Sequence, residues 1–302
     1  MGAEDWSAVA ELIHVSTNAY YTSHGMNPIF SDEPEKTTRL FCEVYEELDP
    51  GCCLIAEHPT TGRLVGSCFY HPRETHYALG IMNVHPSYFG QGVARSLLTS
   101  ITDRADADGK PTRLVSSALN LDSYSLYSRA GFVPYATFQD TLITVPTEGI
   151  TTSHDQNTSV REAVPDDLDQ IVALEEKVSG ISRRRDWGYF IANGMGVWHV
   201  SVSTDGSDNV NGVLASIGHP GSRIVGPGVM LNEDVAIELA AAELDCHRGE
   251  TVLFLVPALS RKLLSAVYDW GARNCEIHFA QCRGVYTPFD GVVIPTFMPE
   301  TG

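Results

Sequence analysis

The chain has 302 residues, a length that suits about two domains. Apolar residues make up 43% and charged residues 19%, which supports packed cores and excludes a disordered chain. Acidic residues number 38 against 20 basic, a formal charge of −18; that argues against a nucleic-acid binder, whose phosphate contacts need Lys and Arg.

Trp6, Val9, Leu12, Ile13 and Tyr20 fall at helical spacing, so residues 6–21 are expected to form a first helix. A second is expected over 35–48, with Leu40, Phe41, Val44, Tyr45 and Leu48 inward. Strand patterns follow at 52–57, 64–70 and 77–84, the first two joined by the turn-forming run His58-Pro59-Thr60-Thr61-Gly62-Arg63. Beyond Pro86 a Gly-rich turn leads into a helix over 93–107. A strand over 112–117, a short helix over 122–130 stopped by Gly131, and strands over 133–138 and 141–145 complete a first half.

Residues 147–158 are polar and read as a linker, dividing the chain into domains 1–146 and 159–302. The second half repeats the order of elements without repeating the residues. A helix starts at Asp166-Asp167-Leu168, and strands are expected at 197–203, 210–217 and 223–229. A helix over 233–244, a strand over 251–256 and a helix over 260–270 follow. Arg183-Arg184-Arg185 is the one run of three basic residues. It reads as a solvated helix start or as an anchor for an anion such as a cofactor 3′-phosphate.

No run of 18 apolar residues appears, so no membrane span is expected. The first residues lack the basic and apolar regions of a secretory signal. The seven cysteines are odd in number and form no C-x-x-C pair, as in a reduced, cytoplasmic protein. The histidines lack H-E-x-x-H spacing, so no metal is expected.

The most informative segment is Asn83-Val84-His85-Pro86-Ser87-Tyr88-Phe89-Gly90-Gln91-Gly92-Val93-Ala94-Arg95. An apolar strand ends in a turn of small residues and runs into an amphipathic helix. Unpaired N–H groups at such a helix start suit an anion, a pyrophosphate in particular. The segment is neither a P-loop nor a G-x-G-x-x-G fingerprint. A second motif, Asn120 with Leu126-Tyr127-x-x-x-Gly131-Phe132, follows downstream.

Together, Val84-x-Pro86, Gly90-x-Gly92-x-Ala94 and this second motif resemble the GNAT superfamily of acetyl-CoA-dependent N-acetyltransferases over about residues 6–146. Two departures stand out. Phe89 occupies a position where the family usually has Arg or Gln, and no strand pattern precedes the first helix, either because that strand is absent or because the start is placed late. The second half resembles a degenerate GNAT domain, with Gly226-Pro227-Gly228-Val229 in place of the phosphate loop. Pro227 there removes a backbone donor.

The resemblance implies an α/β (α+β) architecture of two GNAT-like domains, each a mixed, mostly antiparallel twisted sheet flanked by helices. It implies acetyl-CoA as co-substrate, held by Met82, Asn83, Val84, Phe89, Gly90, Gln91, Gly92, Val93, Ala94, Arg95, Asn120 and Tyr127. The backbone N–H near Val84 would polarise the acetyl carbonyl, and Tyr127 would protonate the leaving thiolate. A phenol, which ordinarily ionises near about pH 10, suits that task. His71, Glu57, Glu74 and His85 are candidate bases, with a water relay equally open; Cys68 is a minor candidate nucleophile.

The implied partner is the amine of a small molecule or peptide, with no nucleic acid or membrane, and a homodimer is a possible assembly. The competing function is a non-catalytic acyl-CoA-binding or sensory protein on the same fold.

Overall fold

Helical spacing of apolar residues builds α1, Trp6–Ser23, which buries Val9, Ala10, Leu12 and Ile13. It also builds α2, Arg39–Leu48, which buries Leu40, Phe41, Val44, Tyr45 and Leu48. The expected start of α2 at residue 35 instead forms a separate 3-10 turn, Pro34–Lys36, as Pro suits the first turn of a helix and not its interior. This computed structural model describes residues 1–150 and 159–300. Residues 151–158, most of the expected linker, lie outside the described residues.

The chain packs as two compact units. The first comprises Met1–Leu114, His219–Ser222 and residues 297–300. Its strands are β1 (Cys53–Glu57), β2 (Leu64–Pro72), β3 (Tyr77–Val84) and the start of β4 (Thr112–Ser117), in the order β1-β2-β3-β4. The first three are antiparallel, and β4 joins β3 in parallel. The helix α3 spans Val93–Ala107 and buries Leu97, Leu98, Ile101 and Ala105.

Register decides which helix covers which face. Gly66 lies opposite Val84, and Ser67 opposite Asn83. A side chain on Gly66 would meet Val93 of α3 at 2.6 Å, whereas Asn83 Oδ1 accepts a hydrogen bond from Ser16 of α1 at 2.6 Å. Successive residues of a strand point to opposite faces, so α3 covers one face and α1 the other. The missing side chain at Gly66 lets the first turn of α3 sit directly on β2.

The second unit comprises Val115–Gly218 and Arg223–Thr296. It holds α4 (Leu121–Arg129), β5 (Val133–Thr144), β6 (Ser159–Glu162), α5 (Leu168–Ser179) and α6 (Arg184–Ala192). Then come β7 (Trp198–Thr204), β8 (Val210–His219), β9 (Ser222–Met230), α7 (Glu233–Asp245), β10 (Thr251–Pro257), α8 (Arg261–Asp269), β11 (Arg273–Arg283) and β12 (Val292–Ile294). The strand order is β11-β5-β10-β9-β8-β7-β6, with β12 beside β9. The sheet is mixed and mostly antiparallel, with β10 parallel to β9. Leu239, Leu244, Phe254, Leu263 and Val267 anchor its core.

The order of elements in the two halves of the sequence repeats as expected. The packing units cut across that repeat, because β5 pairs with β10 on one side and β11 on the other. The two strands expected over 133–138 and 141–145 are one strand, held straight through by its pairing with β11. The Arg183 run stands at a helix start, that of α6, but its first arginine is buried rather than solvated or free to anchor an anion. Arg183 is 2% exposed and ion-paired to Glu175 at 2.6 Å, and Arg184 pairs with Asp169.

A buried polar network ties β8 to α7. The Ser216 hydroxyl donates to Glu243 at 2.6 Å and lies 2.8 Å from His247 Nε2. Burial pushes the Glu243 carboxyl up to about 7, against hydrogen bonds from Ser201 and Ser216. Burial, helped by the His199 and Arg223 charges, holds His247 down to about 4. The signs are opposed. Glu243 contributes stability that is lost as pH rises from its ordinary 4.5 through about 7; His247 contributes stability that is lost as pH falls from 6.5 through about 4.

Glu243→Gln removes the first dependence alone. The stability of the variant relative to wild type should therefore climb by about 3 kcal/mol between about pH 4.5 and 7. Paired denaturant titrations across that range check it. A difference that stays flat with pH would refute the ionisation of Glu243.

Candidate active site

The strand β3 is released from one neighbour along most of its length. It pairs with β4 only at Tyr77 and Ala78, while its pairing with β2 continues to Val84. The His85 N–H donates to Val65 O at 2.9 Å and so faces β2. Alternation turns the N–H of Val84 to the other edge, where β3 has no strand beside it. Met82 shares that orientation. Asn83 is buried, with its side chain toward α1.

The turn after β3 follows from its residue types. The His85 imidazole accepts from Ser87 N–H at 3.2 Å and caps the 3-10 turn Pro86–Tyr88. Arg63 Nη2 lies 3.1 Å from the other ring nitrogen of His85. This histidine is a turn-former beside an arginine. Gly90 and Gly92 adopt φ of 74° and 84°, a left-handed conformation that glycine takes without penalty.

Gly92 is the N-cap of α3 and offers no side-chain cap. A Cβ at either glycine would meet nothing within 4 Å. The first N–H groups of α3, from Val93, Ala94 and Arg95, therefore face open space at the positive end of a helix dipole. Arg95 is exposed beside them, and Phe89 is 59% exposed. A cavity of about 390 Å³ adjoins this turn, lined by Tyr88, Gln91, Gly92 and Ser96 with Glu57 and His58 of the β1 side.

The corresponding place in the second unit is closed. Asn232 Oδ1 accepts from the N–H groups of Asp234 and Val235 at 3.0 and 3.1 Å, capping α7. Glu233 and Asp234 add negative charge to its first turn, which repels an anion. The free edge of β9 is taken by β12, with Ile294 opposite Gly228 and Val292 opposite Met230. Gly226-Pro227-Gly228-Val229, expected to stand in for a phosphate loop, lies inside β9. Gly226 is required there because a side chain would collide with the Pro295 carbonyl oxygen.

The expected bases separate by position. His71 is buried, with Nδ1 2.7 Å from Asp49 Oδ2, and Arg73 holds the same carboxylate at 2.8 Å. Burial alone would raise the Asp49 carboxyl, but these two partners bring it down to about 2. His71 lies opposite Ala78, six residues along β3 from Val84, or about 20 Å. Glu74 is in the β2–β3 turn, farther still. Glu57, opposite Leu64, is at the Val84 end of the sheet and exposed. Cys68 is fully buried, its thiol pushed well above the ordinary range by burial, and so is inert.

In the second unit Asn120 caps α4, its Oδ1 accepting from Ser123 N–H at 3.0 Å. Its amide nitrogen makes no hydrogen bond among the described residues. Tyr127 is 7% exposed, and its ring packs 5.8 Å from that of Phe132. The Phe132 N–H donates to the Tyr127 carbonyl at 3.1 Å, so the Gly131-Phe132 end of the motif fixes the helix turn that carries Tyr127.

Residues 13–132 match the family model described as Acetyltransferase (GNAT) family. Over this segment the chain is similar to the GNAT acetyltransferases. Solved structures share the fold across nearly the whole chain. A Pyrococcus horikoshii protein described as an acetyltransferase superposes with a TM-score of 0.71 at 14% identity, covering 99% of this chain and 90% of that one. A GCN5-related N-acetyltransferase from Sphaerobacter thermophilus gives 0.65 at 16% identity, covering 96% of each. A tandem GNAT protein from the clavulanic acid biosynthesis pathway gives 0.59 at 12%, covering 94% of this chain and 96% of that one. No curated protein sequence matches the chain. Among the described residues no helix is long and apolar enough to cross a membrane.

Proposed function

We propose that the chain is an acetyl-CoA-dependent N-acetyltransferase that moves an acetyl group to a primary amine of a small molecule or peptide by direct attack. One observation carries this reading: the half-open edge of β3 runs directly into an uncapped, glycine-lined N-terminus of α3. The edge N–H groups of Met82 and Val84 suit the amides of a pantetheine arm and the acetyl carbonyl. A backbone donor aimed at that carbonyl stabilises the charge that develops on it during attack. Gly90, Gln91, Gly92, Val93 and Ala94 are the proposed pyrophosphate cradle, with Arg95 adding a positive charge.

By the family pattern, Asn120 bonds the pantetheine arm and Tyr127 protonates the departing thiolate. Glu57 is the expected carboxylate that β-sheet position favours as base, directly or through water. The proposed boundaries in sequence remain 1–146 for the GNAT half and 159–302 for the degenerate half, with the cytoplasm as the proposed location.

Isothermal titration calorimetry with acetyl-CoA, paired with thiol-release assays over a panel of amines, tests the reading. Binding with amine-dependent thiol release is expected. Binding without release for any amine would favour the second reading, a non-catalytic acyl-CoA binder. The exposed Phe89 favours that alternative, because it removes the usual side-chain contact near the phosphates.

The contrast between α3 and α7 sets the stoichiometry. The capped, acidic start of α7 and the occupied edge of β9 leave no second cradle. The titration should saturate at one acetyl-CoA per chain. Saturation at two would overturn this assignment of the second half.

A further inference from the structure

The second unit gathers three ligating side chains on one sheet face. In the β5–β11 pairing, Glu276 lies opposite Asp140, and His278 lies opposite Phe138. Glu276 and His278 are two residues apart on β11, so alternation sends both to the same face. Their ligating atoms and that of Asp140 all lie within 4.8 Å of one another. His278 Nδ1 is 2.8 Å from Asp140 Oδ2, and the Ser117 hydroxyl bonds to Glu276 Oε1.

The cluster is buried, with Asp140, His278 and Glu276 at 2, 6 and 7% exposure. Asp140 Oδ1 has no hydrogen-bond partner among the described residues. A buried carboxylate oxygen is satisfied by a hydrogen bond or by a metal, and Oδ1 can supply one ligand bond. The charges agree. Two carboxyl groups face one imidazole.

The donors define what fits. Two oxygens and one nitrogen suit a first-row divalent cation with three protein ligands and an open position. The neighbouring Cys275 thiol donates to the Asp140 carbonyl at 3.3 Å, which keeps sulfur out of the set. Metal bonds of about 2.05 Å in a tetrahedron separate ligand atoms by about 3.4 Å. The His278–Asp140 pair, at 2.8 Å, must open by about half an ångström.

We propose that Asp140, Glu276 and His278 form a site for one divalent transition-metal ion of the Zn²⁺ or Mn²⁺ type, clamping β5 to β11. The site joins two strands and stands independently of acetyl transfer.

The test uses the full chain, stripped with a chelator and then titrated with Zn²⁺ or Mn²⁺ alone. Metal retained after desalting should reach one equivalent. The melting temperature should rise by on the order of 5 °C at a hundredfold excess over Kd. Asp140→Asn, Glu276→Gln and His278→Gln keep side-chain volume and should each weaken binding at least about tenfold and at least halve the rise at the same metal concentration.

If the variants do not fold, Co²⁺ in the wild-type protein decides by spectroscopy. Visible d–d bands without a thiolate charge-transfer band are expected from this donor set. A stripped protein that takes up no metal and keeps its melting temperature would overturn the proposal. So would uptake that persists in all three folded variants, or a Co²⁺ spectrum carrying a thiolate band.

Discussion

Gly92→Glu is expected to weaken acetyl-CoA binding by at least about 100-fold, some 2.7 kcal/mol. Gly92 sits at φ 84°, where a side chain costs roughly 1–2 kcal/mol of strain. Space is not the obstacle, since an added Cβ would meet nothing within 4 Å. The carboxylate instead enters the region in front of the first N–H groups of α3. It would take for itself the donors and dipole that the pyrophosphate needs, and repel the phosphate charge as well. Gly92→Ala carries the same backbone strain without the charge and separates the two effects. Calorimetry on both folded variants should show Gly92→Ala within about tenfold of wild type and Gly92→Glu without measurable binding. An unchanged Kd in folded Gly92→Glu would remove the phosphate site from this turn.

That turn was readable because it depends on local chemistry. Tyr77–Val84, Val93–Ala107 and Thr112–Ser117 coincide with the stretches that alternation and helical spacing pick out. Pro86, Gly90 and Gly92 punctuate them. The pairing of β5 with both β10 and β11 left no local trace, since a strand's partners are set by contacts more than 100 residues away.

The same limit hid two other features. Asp140 and the Glu276-x-His278 alternation become one cluster only when the β5–β11 register is known. Gly226-Pro227-Gly228 has the composition of a turn, yet its glycine serves a close backbone approach within a strand. Arg183 resembled surface charge because sequence cannot show that Glu175 waits eight residues earlier on α5 to bury it. The Asn232 cap, by contrast, had a signal. An Asn directly before the acidic pair Glu233-Asp234 is a helix start that satisfies its own donors.

Tyr127→Phe is expected to lower turnover by about 10²–10⁴-fold, the weight of one positioned acid. The substitution keeps the ring against Phe132 and removes only the hydroxyl. Acetyl-CoA affinity should change little, because the proposed ground-state contacts come mainly from backbone N–H groups of β3 and α3. The burial of Tyr127, at 7% exposure, leaves a competing account in which the residue serves only packing. On that account the variant melts lower, or unchanged, while each folded molecule turns over at the wild-type rate.

Activity per folded molecule, with melting temperature as control, separates the two. Slow product release could still mask a slowed chemical step, since kcat reports the slowest step whichever it is. Single-turnover measurement at saturating amine exposes the chemical step directly. A wild-type rate constant there would end the assignment of Tyr127 as acid. A drop confined to that step, with Kd for acetyl-CoA unchanged, is what loss of a proton donor to the thiolate requires.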